Sequence, residues 1–558
     1  MRDPATNNNN SASHEAIVIG SGATGGVAAL TLAEAGVRVL VVEAGPDLSA
    51  RQALGSEPGN SLRRLAGLSS GKHRRQAQHP GYWKANPMLY ADERRHPYSH
   101  PKEQPFLWTQ GRQVGGRSLT WGGITLRLSD DEFCATQEDD IGPQWPLTHA
   151  ELSPHYGALE ERLQIHGHRD GLPHLPDGLY QEAYPFTTAE QCFAEAVQAK
   201  LGHQLIHSRG FGPHRPKQDG AWPLYSSPGS TLARAKSTGM VNVLSDHMAE
   251  RLVMDANRQQ AGGVIVVDQR NGNRHQLRGN LIVLCASTIQ SLRILLNSEA
   301  KHHGDGFVDP SGSLGCHLMD HVSVCRFFSF PRQLFNSSQT TEDAGPLSGA
   351  GSFFFPFGRH FKGTESRQFK GGYGLWGGID RFDPPATFKK YPDSVTGFLI
   401  GHGEVLPDRR NKVTLSDQED FLGIPIPHIS CCWRANELEM VKHMQRTIAD
   451  IVASAGGTIQ PFQELFRLPW LENFLQGAVA LGDTAPPPGY YIHEVGGAPM
   501  GTTESTSVVN RWNQLWRCRN VLVVDGACWP TSGWQSPTLT MMAITRRACL
   551  EAIKRNEV

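Results

Sequence analysis

The pattern of hydrophobic and polar positions is clearest near the N-terminus. Residues 16–19 form a short unbroken apolar run, which predicts a strand buried on both faces. Gly20, Gly22 and Gly25 follow at G-x-G-x-x-G spacing. An Ala-rich segment from Ala23 to Ala35 carries helical periodicity, Gly36 suits its C-terminal cap, and a second strand over 37–42 ends at Glu43. Strand-like runs return at 241–244, 263–268 and 281–284, the last entering an Ala-Ser-Thr turn and a helix over 289–296. Alternating segments such as 352–356 and 397–405 predict a mixed or antiparallel sheet in the middle of the chain, about 316–485. Near the end, 521–524 reads as a buried strand running into Asp525-Gly526, and 538–554 reads as a helix. Two stretches break this grammar. From Glu43 to about residue 105 the chain is polar and loop-rich, and residues 141–225, rich in Pro, His and Gly, do not read as regular α/β units.

The first block has the parts of a dinucleotide site. Gly20 permits a tight turn, Gly22 lets backbone approach a pyrophosphate, and Gly25 lets the helix pack closely on the strand. The helix N-terminus offers unpaired N–H groups to phosphate. Glu43, eighteen residues after Gly25, stands where a carboxylate accepts from ribose hydroxyls. An acidic residue there disfavours a 2′-phosphate, which leaves FAD or NAD and sets NADP aside.

Composition narrows the partners. With 558 residues and 39% hydrophobic content the chain can bury a large core and more than one domain. A net charge of −1, from 53 basic and 54 acidic residues, gives no field for nucleic acid, and no basic amphipathic run suggests a membrane surface. Mean hydropathy is −0.38 and the longest apolar runs are strand-sized, so no membrane-spanning helix is expected. Residues 1–14 read as a disordered polar tail without the apolar stretch of a signal peptide, which predicts a cytoplasmic protein. The ten cysteines contain no C-x-x-C pair, which predicts reduced thiols, with no disulfide framework and no metal site.

Four blocks together resemble the glucose-methanol-choline (GMC) flavoprotein oxidoreductases across nearly the whole chain. They are the fingerprint with Glu43, the Gly-rich run Gly115–Gly123, the Leu284–Ser291 turn with Ser313–His321, and the C-terminal pair His493–Gly497 with Asp525–Thr540. Softer likenesses around 171–178, Leu284 and Met319 point to the bacterial branch that oxidises sugars and glycosides. The resemblance implies an α/β protein: a Rossmann-type FAD-binding domain assembled from 15–140, 226–315 and 488–558. A substrate-binding domain with a large mixed or antiparallel sheet would take 141–225 and 316–487. It implies FAD as cofactor, with Gly20, Gly22 and Gly25 at the pyrophosphate and Glu43 at the adenosine ribose. Arg112, Gly115, Gly116, Ser118 and Gly123 would lie along the flavin, Asp525 and Gly526 at the pyrophosphate and ribityl chain, and Pro537 and Thr538 at the pyrimidine edge. The segment Asp246–Leu252 would meet the adenine.

The implied chemistry is alcohol oxidation, with a sugar or glycoside as the leading small-molecule substrate and O2 or a small-molecule or protein acceptor taking the electrons. It needs a base for the hydroxyl proton and a hydride acceptor at flavin N5, and imidazole suits the first task. His493 is the expected base. The family's second polar partner, His or Asn, falls here on Ser536, whose hydroxyl can orient a substrate oxygen but is no base at neutral pH. Three readings stay open: Ser536 orients the substrate, Gln535 or a substrate-domain residue supplies the missing amide, or the chemistry is altered. The last leaves a lyase or isomerase of the same fold, or a non-catalytic flavoprotein, as alternatives. Thr120 stands where some members carry a flavin-linking His, so non-covalent FAD is expected. The stretch 213–233, where some sugar-oxidising relatives carry a Cys-ligated iron–sulfur cluster, contains no cysteine. Asp320-His321 reads as structural support, the Phe-rich run 352–357 as a sheet segment, and Trp529 and Trp534 as either substrate platforms or packing.

Overall fold

Residues 16–19 are apolar throughout because both faces of their strand are covered. The computed structural model describes residues 14–136, 142–214, 220–257, 259–334, 344–360, 367–382, 393–461 and 485–558. In it, His14–Ile19 is the central strand of a six-stranded sheet in the order Gln514–Leu515, Cys518–Val523, Gly279–Leu284, His14–Ile19, Val39–Val42, Val241–Leu244. All neighbours are parallel except the outermost pair at Gln514–Leu515. Ile17 and Ile19 join one core and Ala16 and Val18 another, on opposite faces. Helix Ala23–Glu34 packs against Thr538–Lys554 and Thr231–Ser237, so three widely separated stretches of sequence cover one face. Gly36, at φ +85°, closes the first helix: Val37 N–H bonds to Leu32 and Gly36 N–H to Ala33.

The predicted strand at 263–268 belongs elsewhere. It is part of Ala261–Asp268 in a three-stranded antiparallel sheet with His247–Met254 and Arg274–Leu277. The middle of the chain forms a second six-stranded sheet in the order Thr458–Ile459, Val322–Pro331, Ser394–Gly403, Tyr373–Ile379, Phe353–Gly358, Ile206–His207, antiparallel throughout. Alternation sorts its residues. Val322, Val324, Phe328 and Phe330 are buried, and helix Ala435–Ser454 lies against this sheet. A Cβ at Gly401 would stand 2.6 Å from Met444 Sδ, which shows how closely the helix approaches. The opposite face looks into the cavity described below.

Two stretches read as irregular contain helices. Residues 141–225 hold His149–Leu163 and Thr188–Leu201, each opened by a Thr–Glu capping box at Thr148 and Thr187. The loop-rich region after Glu43 holds Ala50–Leu54 and Glu57–Ser69. The capping boxes were visible in the sequence; Pro154 inside the first of these helices obscured it. Most of the predicted tail lies outside the described residues, and His14 itself begins the first strand. Part of the cysteine-free stretch 213–233 also lies outside them. Among the described residues no helix is long and apolar enough to cross a membrane.

Candidate active site

A cavity of about 1200 Å³ opens at the C-terminal ends of the parallel strands. Its lining includes the residues that follow four of those strands: Gly20–Thr24, Glu43–Ala44, Cys285–Thr288 and Asp525–Gly526. Gly20, Gly22, Glu43, Arg112, Gly116, Ser118, Gly123, Asp525, Gly526, Ser536, Pro537, Thr538 and His493 all line it, so the structure brings together positions more than 500 residues apart. Gly25 and Gly115 do not. A Cβ at Gly25 would lie 1.9 Å from the Gly20 carbonyl oxygen, so Gly25 sets the spacing of helix on turn. Gly115, at φ +97°, turns beneath Pro228. Ser118 gives its hydroxyl proton to the Gly115 carbonyl and accepts from Ser227 N–H, so it shapes the loop.

Three observations test whether these residues suit a dinucleotide. A Cβ at Gly22 would meet nothing closer than 3.9 Å and would enter the cavity, so its absence leaves free room there. Helices Ala23–Glu34, Thr288–Asn297 and Thr538–Lys554 all begin at this cavity without a side-chain cap, leaving first-turn N–H groups for an acceptor. Arg112 lines the cavity with, among the described residues, only a Met248 sulfur at 3.3 Å and a Gln110 oxygen at 3.5 Å as hydrogen-bond partners, and burial brings its guanidinium down to about 10. Such a cation is well suited to a phosphate-bearing ligand. Glu43 accepts from Ser21 N–H, Ser21 Oγ–H and Gly45 N–H, which fixes its carboxylate at the cavity edge while a lone-pair direction stays open. Burial pushes its pKa up. His247, Met248 and Ala249, in the segment expected to meet adenine, line the same end. The residues fit FAD.

His493 is held from two directions by adjacent residues. Asp320, buried, accepts the backbone N–H groups of Gly489 (2.9 Å), Tyr491 (3.3 Å) and His493 itself (2.9 Å). Burial, with Glu494 nearby, raises its pKa. The loop it clamps contains Ile492 at φ +63°, a conformation a β-branched residue adopts only when its surroundings impose it. Beside Asp320, His321 contacts the imidazole: Nδ1 of each ring lies 3.0 Å from the other. The protons can be placed. His321 Nε2 is 2.7 Å from the Gly533 carbonyl, which can only accept, so Nε2 carries hydrogen. Burial holds His321 down to about 3, so its ring is neutral and its Nδ1 is bare. Nδ1 of His493 therefore donates, and Nε2 of His493 is the nitrogen with a free lone pair. Burial, then the neighbouring His321, His402 and Arg117, hold His493 itself well below 6.5.

Sequence reasoning passed over Arg117 and Glu494. Arg117 Nη1 donates to Glu494 Oε2 at 2.7 Å and Nη2 to Ser287 Oγ at 3.0 Å, tying the Gly-rich loop to the His493 segment. Each is the sole charged residue of its motif, Gly115–Gly123 and His493–Gly497, and that was the available signal. Gln535 is fully buried and does not line the cavity, and neither atom of its amide has a partner among the described residues. Trp529 packs on Trp145 at 5.4 Å and Trp534 lies over Gly374 and beside His402; neither reaches the cavity. The Phe353–Gly358 strand is buried along its whole length.

A glycine-turned cleft that shares its cavity with a neutral, oriented imidazole fits a flavin- or nicotinamide-dependent oxidoreductase. The chain belongs to the GMC oxidoreductases: two signatures so described match residues 14–323 and 407–545. It is 25% identical to 2-methyl-1,2-propanediol dehydrogenase of Mycolicibacterium austroafricanum, over 96% of this chain and 94% of that one. It is 26% identical to paromamine 6′-oxidase of Streptomyces fradiae, over 96% and 90%. The fold matches pyridoxine 4-oxidase from Mesorbium loti with a TM-score of 0.60 at 16% identity, over 97% of this chain and 99% of that one. The family is one of FAD-binding enzymes that act on alcohols and sugars, and this chain is an oxidoreductase of that family with its Rossmann-type fold.

Proposed function

We propose that this protein oxidises an alcohol to a carbonyl compound with non-covalently bound FAD, using His493 as the base. Bound FAD supplies the acceptor for the two electrons and the hydrogen that leave the carbinol carbon. His493 Nε2 takes the hydroxyl proton as the carbon–oxygen double bond forms, and His321 keeps the ring in the tautomer this requires. Asp320 fixes the backbone from which the ring projects. Ser536 lines the cavity with His493 and can donate to the substrate oxygen. Gly20 and Gly22 would receive the pyrophosphate, while Gly25 only spaces the helix on the turn; Arg112, which the resemblance set along the flavin, lies beside Met248 and would serve the phosphates instead. Glu43 would take the ribose, Asp525 and Gly526 the ribityl chain, and Pro537 and Thr538 the pyrimidine edge. Thr120, a cavity residue with no imidazole to offer, supports non-covalent attachment. The segments 15–140, 226–315 and 488–558 form the cofactor-binding domain in this reading, and 141–225 with 316–487 the substrate domain.

The observation that carries the reading is the chain Gly533 carbonyl, His321, His493, which leaves one bare nitrogen on a cavity residue. The test is anaerobic mixing with candidate alcohols while the visible flavin band is followed. Bleaching with stoichiometric carbonyl product is expected. Product formed with the band unchanged would make the protein a lyase or isomerase instead.

A further inference from the structure

The cavity extends beyond His493 along the open face of the antiparallel sheet, and that face is ordered in rows. Cross-strand pairing sets Gly374, His402 and Ser323 in the first row, Trp376, Ile400 and Cys325 in the second, and Gly378, Phe398 and Phe327 in the third. The first row adjoins the base, because the His402 ring stacks on His321 at 5.5 Å and on Tyr491 at 5.3 Å. Successive rows are two residues apart, about 7 Å, so the third lies about 14 Å beyond the first. Trp376, Ile400, Cys325, Phe398 and Phe327 all line the cavity. Trp376 meets Phe398 at 5.0 Å, and Phe382 meets Phe398 at 5.4 Å. Leu347 covers the space above Gly378.

Among the described residues this wall carries few hydrogen-bonding groups; the Tyr490 ring packs on it beside Cys325, Phe327 and Ile400 and also lines the cavity. Among the described residues of this wall, Ser323 Oγ and Trp376 Nε1 are buried without partners. Across from it, Lys84 also lines the cavity. His79 and Asn86 are engaged within the protein: His79 Nδ1 accepts from Gly81, and Asn86 bonds to Gln52 and Met88. A sugar brings a hydroxyl on nearly every carbon, and each one buried here without a partner weakens binding. An apolar body gains along the same surface.

We infer that the substrate is an alcohol whose carbinol carbon is attached to an apolar aromatic or branched-hydrocarbon body lying on the Trp376–Ile400–Cys325 and Phe398–Phe327 rows. This assignment rests on the alcohol-oxidising reading for its orientation, and it departs from the sugar or glycoside suggested by sequence resemblance.

The experiment pairs binding with turnover on the holoenzyme. Calorimetry compares cinnamyl methyl ether, whose oxygen is blocked, with methyl glucoside. Anaerobic flavin bleaching compares cinnamyl and perillyl alcohols with glucose and fructose. The ether should bind at least about tenfold tighter than the glucoside, and the hydrophobic alcohols should reduce the flavin with a second-order rate constant at least about tenfold above that of the sugars. Ether binding without bleaching by any alcohol would uphold the apolar site and sink the oxidation reading. Bleaching led by sugars, with no ether binding, would do the reverse. Absence of both would overturn the assignment. Trp376→Ala, with flavin content and melting temperature unchanged, should weaken ether binding about tenfold; unchanged binding would remove the substrate body from these rows.

Discussion

The parallel sheet meets the cavity with the ends of its strands, whereas the antiparallel sheet meets it with a face. At the strand ends the cavity is bordered by backbone: turns, uncapped helix N-termini and positions where a side chain would intrude. On the sheet face it is bordered by side chains standing in register, Trp376, Ile400, Phe398 and Phe327. Backbone geometry tolerates few residue types, and a sheet face tolerates many so long as alternation is kept. One end of the cavity is thus committed to a single kind of ligand, and the other can be repainted without disturbing the fold. His493 stands where the two ends meet.

The comparison is broken most severely at that junction. His493→Ala should lower kcat by about 10²–10⁴-fold with flavin retained, since it removes the base and leaves both ends intact; near-normal turnover in that variant would end the assignment. In the unaltered enzyme the same base predicts a pH profile of known sign. His493 is held well below 6.5, so it is unprotonated at neutral pH. The base-dependent limb of kcat/KM should be flat through neutrality and fall only in distinctly acidic solution; a midpoint at or above 6.5 would contradict the buried, neutral ring. Asp320→Asn loses one acceptor oxygen from the clamp on 489–493. It should lower kcat about tenfold to a hundredfold. KM for the substrate should change much less, because the residues of the sheet face are untouched.

The nucleotide end can be probed with two glycines that differ in kind. Gly22→Leu fills cavity space and should cut flavin occupancy by about tenfold or more while the melting temperature of the flavin-free protein holds. Gly20→Ala instead places a Cβ 2.3 Å from the Cys285 carbonyl oxygen at φ +100°, so it should lower that melting temperature as well. Equal melting temperatures for the two would show that Gly20 is not confined by the fold. The smallest effect is expected at Ser536→Ala, about fivefold in kcat/KM, the worth of one hydrogen bond of about 1 kcal/mol. No change at all would remove Ser536 from the substrate oxygen.

The two ends also differed in how legible they were. Gly20, Gly22, Gly25 and Glu43 could be read because their spacing is local and each residue type answers one backbone demand. The strands at 241–244 and the helix at 538–554 were placed with the observed bounds, since each is a continuous apolar or periodic run. The rows of the sheet face could not be read, because Trp376, Ile400 and Cys325 are neighbours only through register, and register is set by pairing across long connections. Asp320 was read as mere support, which missed what it supports: its three partners are backbone N–H groups about 170 positions away, and a sequence shows no sign of them. The helices at His149–Leu163 and Thr188–Leu201 were missed for a different reason, since surrounding Pro and His residues masked a readable cap.

Asp320, His321 and Ser323 follow one another almost directly, and with them the strand Val322–Pro331 begins. The grip on the imidazole and the first, polar row of the sheet face, from which the hydrophobic rows are counted, are consequently parts of one short covalent ruler. Evolution can exchange the residues of those rows for others, yet inserting or deleting a residue between Asp320 and Ser323 would shift the whole set relative to the proton acceptor. Selectivity in this enzyme can therefore drift by substitution, while the distance from reacting carbon to the first hydrophobic row stays locked.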